Sequence, residues 1–218
     1  MMSAMASTPG DAEPTQLMER ALQGDQRAWG ELLAPYRDRL RRMVALRLDR
    51  RLQGRVDPSD VIQEGCFDAA RRLPEYVRDR PMPFFLWLRL LVGQRMVDHH
   101  RRHLGAQARD AGRELTLYHG AMPATTTAAL AAHLLGRMTS PSQAAIRAER
   151  RLRLQEALNA LERVDCEILA LRHFEQLSNN EAAAVLGLDK STASKRYTRA
   201  LIRLKGILGS MPGGLQEI

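Results

Sequence analysis

The stretch SNNEAAAVLGLDKSTASKRYTRALIRL, residues 178–204, decides the fold of the C-terminal part of this chain. Ser178 followed three residues later by Glu181 is a capping box, in which each side chain satisfies an orphan backbone N–H of the other. It opens a short helix carrying Ala182, Ala183, Val185 and Leu186, which Gly187 ends. Asp189 caps a second helix, predicted over 190–207. Two helices joined by the tight turn Gly187-Leu188-Asp189, with small alanines where they cross, read as a helix-turn-helix. On a 100° wheel the second helix gathers Ala193, Tyr197, Ala200, Leu201 and Leu204 on one face. Ser191, Lys195, Thr198 and Arg199 lie opposite, with Arg196 and Arg203 flanking. One face packs, and the other offers the donors and cations that hold phosphates and read base edges. Without a nucleic acid, the same pattern describes an ordinary amphipathic helix with a solvated face.

Working upstream, the apolar spacing stays helical and no segment alternates as a strand would, so the chain reads as all-α. A helix is predicted over 164–174, and another to 161 that begins at a second capping box, Ser140-Pro141-Ser142-Gln143. Residues 105–140, rich in Ala and Thr, read as a linker with a short helix near 128–135. Before it, a helix over 84–103 is apolar nearly all round in its first half and basic in its second. A helix from the Asp57 cap, with Pro58 at its first position, should end at Pro74 and bury Val61, Ile62, Phe67, Ala70 and Leu73. The connection 77–83 is a loop, and a first long helix spans 26–49. The expected architecture is two small helical domains, 17–104 and 141–210, the second a helix-turn-helix, joined by the linker 105–140. A disordered N-terminus (1–16) and a short tail (211–218) flank them.

Composition narrows the partners. The 218 residues hold 33 Lys+Arg against 25 Asp+Glu, net +8, and nearly all the cations are Arg. Arg presents a planar, permanently charged fork suited to phosphate, which points to nucleic acid ahead of a membrane surface. No apolar run is long enough to span a bilayer, and residues 1–14 lack the apolar core of a secretory signal, so a cytoplasmic protein without membrane insertion is expected. Cys66 and Cys166 have no metal-ligand spacing and read as buried free thiols. No phosphate loop, zinc spacing or Ser-His-Asp grouping stands out, so no catalytic residue, metal or cofactor is assigned, and the chain is not read as an enzyme.

Three further features carry alternatives. The basic end of the 84–103 helix, with Arg95, His99, His100, Arg101, Arg102 and His103, reads as a phosphate-contacting face or a solvated one; no acidic or thiol ligand stands nearby to make it a metal site. Trp87 reads as core, while Phe84 or Phe85 could line a base pocket. Asp60, Gln63, Glu64 and Asp68 form an acidic-polar strip that lacks the partners of a catalytic site and reads as a solvated face or a docking face.

Three segments, in order, resemble a known family. DPSDVIQEGCFDAARRL (57–73) is similar to the second conserved region of bacterial sigma factors, an acidic residue followed by L-V-Q-E-x-F. FFLWLRLLVGQRMVDHHRR (84–102) resembles the adjoining F-x-x-W-L and N-x-x-x-D-x-x-R-R pattern, with Gln94 in place of the Asn. Residues 161–205 resemble the fourth region, with Leu161-Glu162 for the usual Leu-Pro, Cys166 for a common Arg, and Ser194-Lys195 for the usual Lys-Ser. Two such regions joined by a linker look like an extracytoplasmic-function (ECF) sigma factor. The resemblance implies that Asp60, Gln63 and Glu64 dock on the clamp helices of core RNA polymerase. It implies that the 77–83 loop, with Arg78 and Arg80, holds a flipped base of the −10 element, beside Arg95, Asp98, Arg101 and Arg102. Lys190, Ser191, Ser194, Lys195, Arg196, Thr198 and Arg199 would read the −35 element of promoter DNA. The polymerase flap and an anti-sigma factor join the candidate partners. A stand-alone helix-turn-helix regulator that binds an operator as a dimer is the alternative, and a basic RNA-binding protein a third reading.

Overall fold

The computed structural model describes residues 12–48, 52, 54–104, 127–136 and 144–210. They are helical, with no strand among the described residues: α1 (Ala12–Leu22), α2 (Gln26–Leu33), α3 (Arg37–Arg47), α4 (Pro58–Asp79), α5 (Phe84–Leu104), α6 (Thr127–Gly136), α7 (Ala144–Asn159), α8 (Arg163–Leu169), α9 (Asn179–Leu186) and α10 (Lys190–Ser210). Residues 12–16, expected to be disordered, open α1, whose Met18 is buried in the first core.

The single helix expected over 26–49 is divided. Asp25 caps α2 by accepting from the Arg27 and Ala28 N–H groups. A 3₁₀ turn, Ala34–Tyr36, then leads into α3. Pro35 has no N–H to give the preceding turn, so the α-helical ladder breaks there although the apolar stripe runs on. Pro74 behaves in the opposite way. The helix expected to stop at it continues to Asp79. Pro74 is exposed, while Leu73 and Tyr76 near it are buried, and packing of those side chains carries the helix past the proline. The end comes at Arg80, left-handed at φ 37°, whose N–H reaches the Tyr76 carbonyl at 2.7 Å. The 77–83 loop is therefore only 80–83.

The first core is aromatic where α2, α4 and α5 meet. Phe84 contacts the rings of Trp29, Tyr36, Tyr76 and Trp87, and Tyr76 stacks on Trp87 at 4.5 Å between centroids. Trp87 is core as expected, and Phe84 and Phe85 are buried too. The Tyr76 hydroxyl donates to the Met82 carbonyl at 2.9 Å, tying the short loop to this cluster.

The helix-turn-helix forms as its sequence dictates. Ser178 Oγ accepts from the Glu181 N–H (3.2 Å), Glu181 Oε2 accepts from the Ser178 N–H (2.7 Å), and Gly187 turns left-handed at φ 63°. Asp189 accepts from the Thr192 N–H at 2.9 Å. Ala193, Ala200 and Leu204 are buried as the wheel predicts, but Leu201 is exposed. The helix expected over 164–174 is α-helical only to Leu169 and then widens into a π turn, Ala170–Phe174, closed by the Glu175 N–H to the Ala170 carbonyl (3.0 Å). Within the linker, α6 covers the predicted short helix. It packs along α7 and touches α3 and the π turn, burying Leu130, Ala131 and Leu135. The Ser140-Pro141-Ser142-Gln143 capping box lies outside the described residues.

Candidate functional site

Three surfaces collect the residues singled out in the sequence. The first is the outer face of α4. Asp57 caps its N-terminus through the Ser59 N–H (2.7 Å), and Asp60 and Gln63 stand exposed one turn on. Glu64 is half-buried. Phe67, expected in the core, is instead 64% exposed beside them. The inward stripe is narrower than the sequence suggests: Val61, Gly65, Ala69 and Leu73, at steps of four, are the positions that α5 covers, and Ala70 is exposed. Arg55, Val56, Asp60, Gln63, Glu64, Phe67 and His99 line a shallow depression on this face. An exposed aromatic ringed by acids and an amide has the chemistry to meet a basic surface with an apolar contact at its centre.

The second surface runs along α5. Because α4 and α5 are antiparallel, the acids of α4 lie against the basic end of α5. Arg95 pairs with Asp68 and with Asp98 (3.2 Å), His99 Nε2 lies 3.2 Å from Glu64 Oε1, and Arg102 reaches Glu64 at 3.9 Å. The carboxylates raise the Arg95 pKa, the Asp68 hydrogen bond most. Gln94, Arg101 and Arg102 remain exposed. Arg78 and Arg80 sit at the far end, where α4 turns into α5; Arg78 pairs with its neighbour Asp79 at 2.8 Å and Arg80 is exposed. The two groups are separated by most of α5, about 15–27 Å at 1.5 Å per residue. They stand at the two ends of α5, whose residues 84–93 between them are buried apart from half-buried Leu90, and form no single pocket. His99, grouped in the sequence with a phosphate-contacting face, is buried against α4.

The third surface is the outer face of α10. Lys190, Ser191, Ser194, Lys195, Thr198 and Arg199 are all exposed. Among the described residues Lys190, Lys195 and Arg199 have no acidic partner. Arg196 differs. It turns toward α8, donating to Asp165 (3.0 Å), and Arg203 one face further on donates to Asp165 (2.6 Å) and Glu162 (3.0 Å). Asp165 is buried, so these two arginines neutralise it and fix α10 on α8. The carboxylates raise the Arg203 pKa, the Asp165 hydrogen bond most. On the wheel Arg196 flanks the packed stripe while Arg199 lies opposite it, and only the position of Asp165 shows that Arg196 is held against α8.

Cys166 is buried, donates to the Leu158 carbonyl at 3.0 Å, and has its pKa pushed up by burial to about 11; Cys66 is half-buried and burial also pushes its thiol up. No group of residues among those described has the makings of a metal site, and no described helix is long and apolar enough to cross a membrane.

An all-α chain with an exposed acidic face around Phe67 and a helix-turn-helix whose Lys190, Lys195 and Arg199 have no acidic partner among the described residues suits a DNA-binding transcription factor. Comparison with known proteins makes this specific. The family model for the ECF sigma factor matches residues 11–206. The ECF RNA polymerase sigma factor SigD of Mycobacterium tuberculosis (strain H37Rv) is 30% identical over 189 residues, 87% of this chain and 81% of its own, and SigD of Mycobacterium bovis matches equally. In fold, the chain is similar to CnrH, solved in complex with the cytosolic domain of CnrY, with a TM-score of 0.53 and 23% identity over 92% of this chain and 99% of that one. The chain belongs to the ECF sigma factor family. It is a sigma factor that directs transcription initiation, as the resemblance of its three segments implied.

Proposed function

We propose that the two helical domains divide promoter recognition between them while the first also docks the polymerase. The observation that carries this is the pairing of two unlike surfaces in one family-wide match: exposed Asp60, Gln63 and Phe67 on α4, and unpaired Lys190, Lys195 and Arg199 on α10. On this reading Asp60, Gln63, Glu64 and Phe67 meet the clamp helices of the largest subunit of core RNA polymerase. The residues at the two ends of α5, Arg78 and Arg80 at one and Arg95, Asp98, Arg101 and Arg102 at the other, meet the melted −10 strand. Extruding a base there costs little, since the strand is already being melted. The α10 face, Lys190, Ser191, Ser194, Lys195, Thr198 and Arg199, enters the −35 major groove, with Arg196 acting from its edge while held by Asp165. The flap is the second polymerase contact. CnrH was solved with a CnrY domain bound, and by analogy an anti-sigma protein is a candidate partner here. The work is binding on DNA in the cytoplasm, with no chemistry of its own.

The stand-alone dimeric regulator is not favoured, because the family match reaches from residue 11 through both domains rather than covering the helix-turn-helix alone. Gel filtration with core RNA polymerase, without DNA, tests the reading: co-elution is expected, and separate elution of folded components together with a protected palindrome in a polymerase-free footprint would favour the regulator.

The α10 face carries its own expected outcome. Lys195→Ala with Arg199→Ala should lower transcription from a −35-dependent promoter by about ten-fold or more, since phosphate and base contacts of this kind are worth about 1–3 kcal/mol each. Polymerase co-elution should be unchanged. Arg196→Ala should instead lower the thermal stability, because it leaves buried Asp165 with one partner fewer. Run-off transcription and a melting curve on the same samples separate the two effects; full promoter output from the double variant removes the α10 assignment.

A further inference from the structure

Beside the α10 face lies a cluster of side chains that none of the three surfaces includes. His173, in the π turn, is exposed, and its Nε2 stands 3.0 Å from the Tyr197 hydroxyl of α10. The two rings are 5.6 Å apart and inclined at 33°. The Arg172 guanidinium lies over the same tyrosine ring at 5.5 Å, fixed by a 2.6 Å donation to the Leu177 carbonyl. Among the described residues no carboxylate pairs with Arg172, His173 or Tyr197. The widened turn thus brings an imidazole and a guanidinium against the half-buried tyrosine of the second helix.

The position of the cluster on α10 decides what it can meet. A helix with its side chains is about 10–12 Å wide and the major groove about 12 Å, so a helix reading bases turns its two edges to the two sugar-phosphate walls. This step rests on the assignment of the α10 face to the −35 groove. Lys190, Ser194 and Tyr197, spaced by four and three, share one edge of the helix. The start of α9 borders the same edge, because the Asn179 amide donates to the Lys190 carbonyl at 2.9 Å. Arg196 and Arg203 occupy the opposite edge, but their guanidiniums are engaged by Asp165 and Glu162. The Tyr197 edge carries donors and cations with no acid to match them, which is the chemistry that receives a backbone phosphate.

We propose that His173, held by Tyr197, contacts a backbone phosphate of the −35 duplex and takes up a proton as it does so. Protonation makes both ring nitrogens donors, so Nε2 can hold the Tyr197 oxygen while Nδ1 donates to a phosphate oxygen. In the free chain, partial desolvation of the ring and the neighbouring Arg172 charge hold the His173 pKa below the ordinary imidazole range. Arg172 and Tyr197 are the charged and titratable groups that face it. A phosphate acts in the opposite sense to Arg172 and favours the charged ring. The complex therefore binds one proton more than the free chain, and affinity rises as pH falls.

Fluorescence anisotropy tests the contact, with holoenzyme assembled from core polymerase and the full chain on a labelled duplex from a promoter that the parent holoenzyme transcribes. The parent should bind about ten-fold more tightly at pH 5.5 than at pH 8, as a charge-assisted hydrogen bond is gained. Its plot of log affinity against log salt should steepen by about 0.9, the mark of one further phosphate. His173→Gln should bind like the parent at pH 8 and lose both changes. His173→Lys, a permanent cation, should bind at the acid-end level throughout. The position is exposed, and melting curves of both variants should match the parent. An unreduced pH response in His173→Gln, or none in the parent, overturns the phosphate contact and leaves the −35 reading intact. Lys195→Ala with Arg199→Ala, run alongside, decides that reading: parental affinity in this variant overturns the α10 assignment, while the His173 comparison still decides the contact.

Discussion

Reversing the charge of the α4 face, Asp60→Lys with Glu64→Lys, should abolish co-elution with core RNA polymerase while the helical signal of the protein is retained. Asp60 is exposed and Glu64 faces outward beside it, so neither reversal fills a core position. The cost within the chain is limited to the His99 and Arg102 contacts of Glu64, at 3.2 and 3.9 Å. Pairs at a half-exposed edge of this kind are worth about 1 kcal/mol or less. Across an interface with a basic partner the same change replaces attraction with like-charge repulsion, which costs several kcal/mol and also slows encounter. Phe67→Ala gives an independent reading of the same face. An exposed aromatic at the centre of a contact is the commonest kind of hot spot, and losing about 2 kcal/mol weakens binding roughly thirty-fold. Raising the salt should weaken the parent complex, and in the charge-reversed variant it should ease the repulsion without restoring the lost attraction. Undiminished co-elution of the charge-reversed protein would remove the α4 face from the docking site.

Gly65→Leu should unfold the first domain at growth temperature. The reason is a close approach between α4 and α5. A Cβ on Gly65 would stand 2.6 Å from Val92 Cγ2 and 2.8 Å from Val92 Cα. A side-chain methyl can rotate away, but a backbone Cα cannot, so even alanine forces the helices apart. Overpacking of a core by a methyl group costs about 1–3 kcal/mol. For a domain of this size Gly65→Ala should lower Tm by about 4–8 °C per kcal/mol. Adding Val92→Ala removes the Cγ2 clash and leaves the Cα clash, so it should restore only part of the loss. An unchanged melting curve for Gly65→Ala would mean that the helices are not pressed together at this point.

The sequence carried most of the local structure and least of what lies between elements. Caps and breakers act within a few residues, so Asp57, Ser178 with Glu181, Gly187 and Asp189 could each be located by inspection. Proline was less decisive. Pro35 and Pro74 each remove a helical hydrogen bond, but one breaks its helix and the other does not, a difference the local sequence does not announce. Phe67 looked like core because it is aromatic in an apolar run; only the course of α5, which covers the Val61, Gly65, Ala69 stripe, turns it outward. Arg89 was visible as a charge interrupting the apolar stretch 84–92, a signal that it must find a buried partner. The partner, Glu175, is 86 residues away and reaches it through a π turn that no periodicity announced. The wheel put Arg199 opposite the packed face and Arg196 on its flank, but only the position of Asp165 shows that Arg196 is held inward.

The order of synthesis gives the Arg89–Glu175 pair one more consequence. Translation adds about 5–20 residues per second, so the 86 residues from Arg89 to Glu175 take roughly 4 to 17 s to make. Through that interval the nascent first domain carries Arg39, Arg47 and Arg89 without the carboxylates, and Arg42 without the Gln176 amide, that later meet them. It leaves the ribosome, itself a polyanion, with its most adhesive face uncovered. The last third of the chain, on arriving, turns a sticky half-protein into a self-contained one.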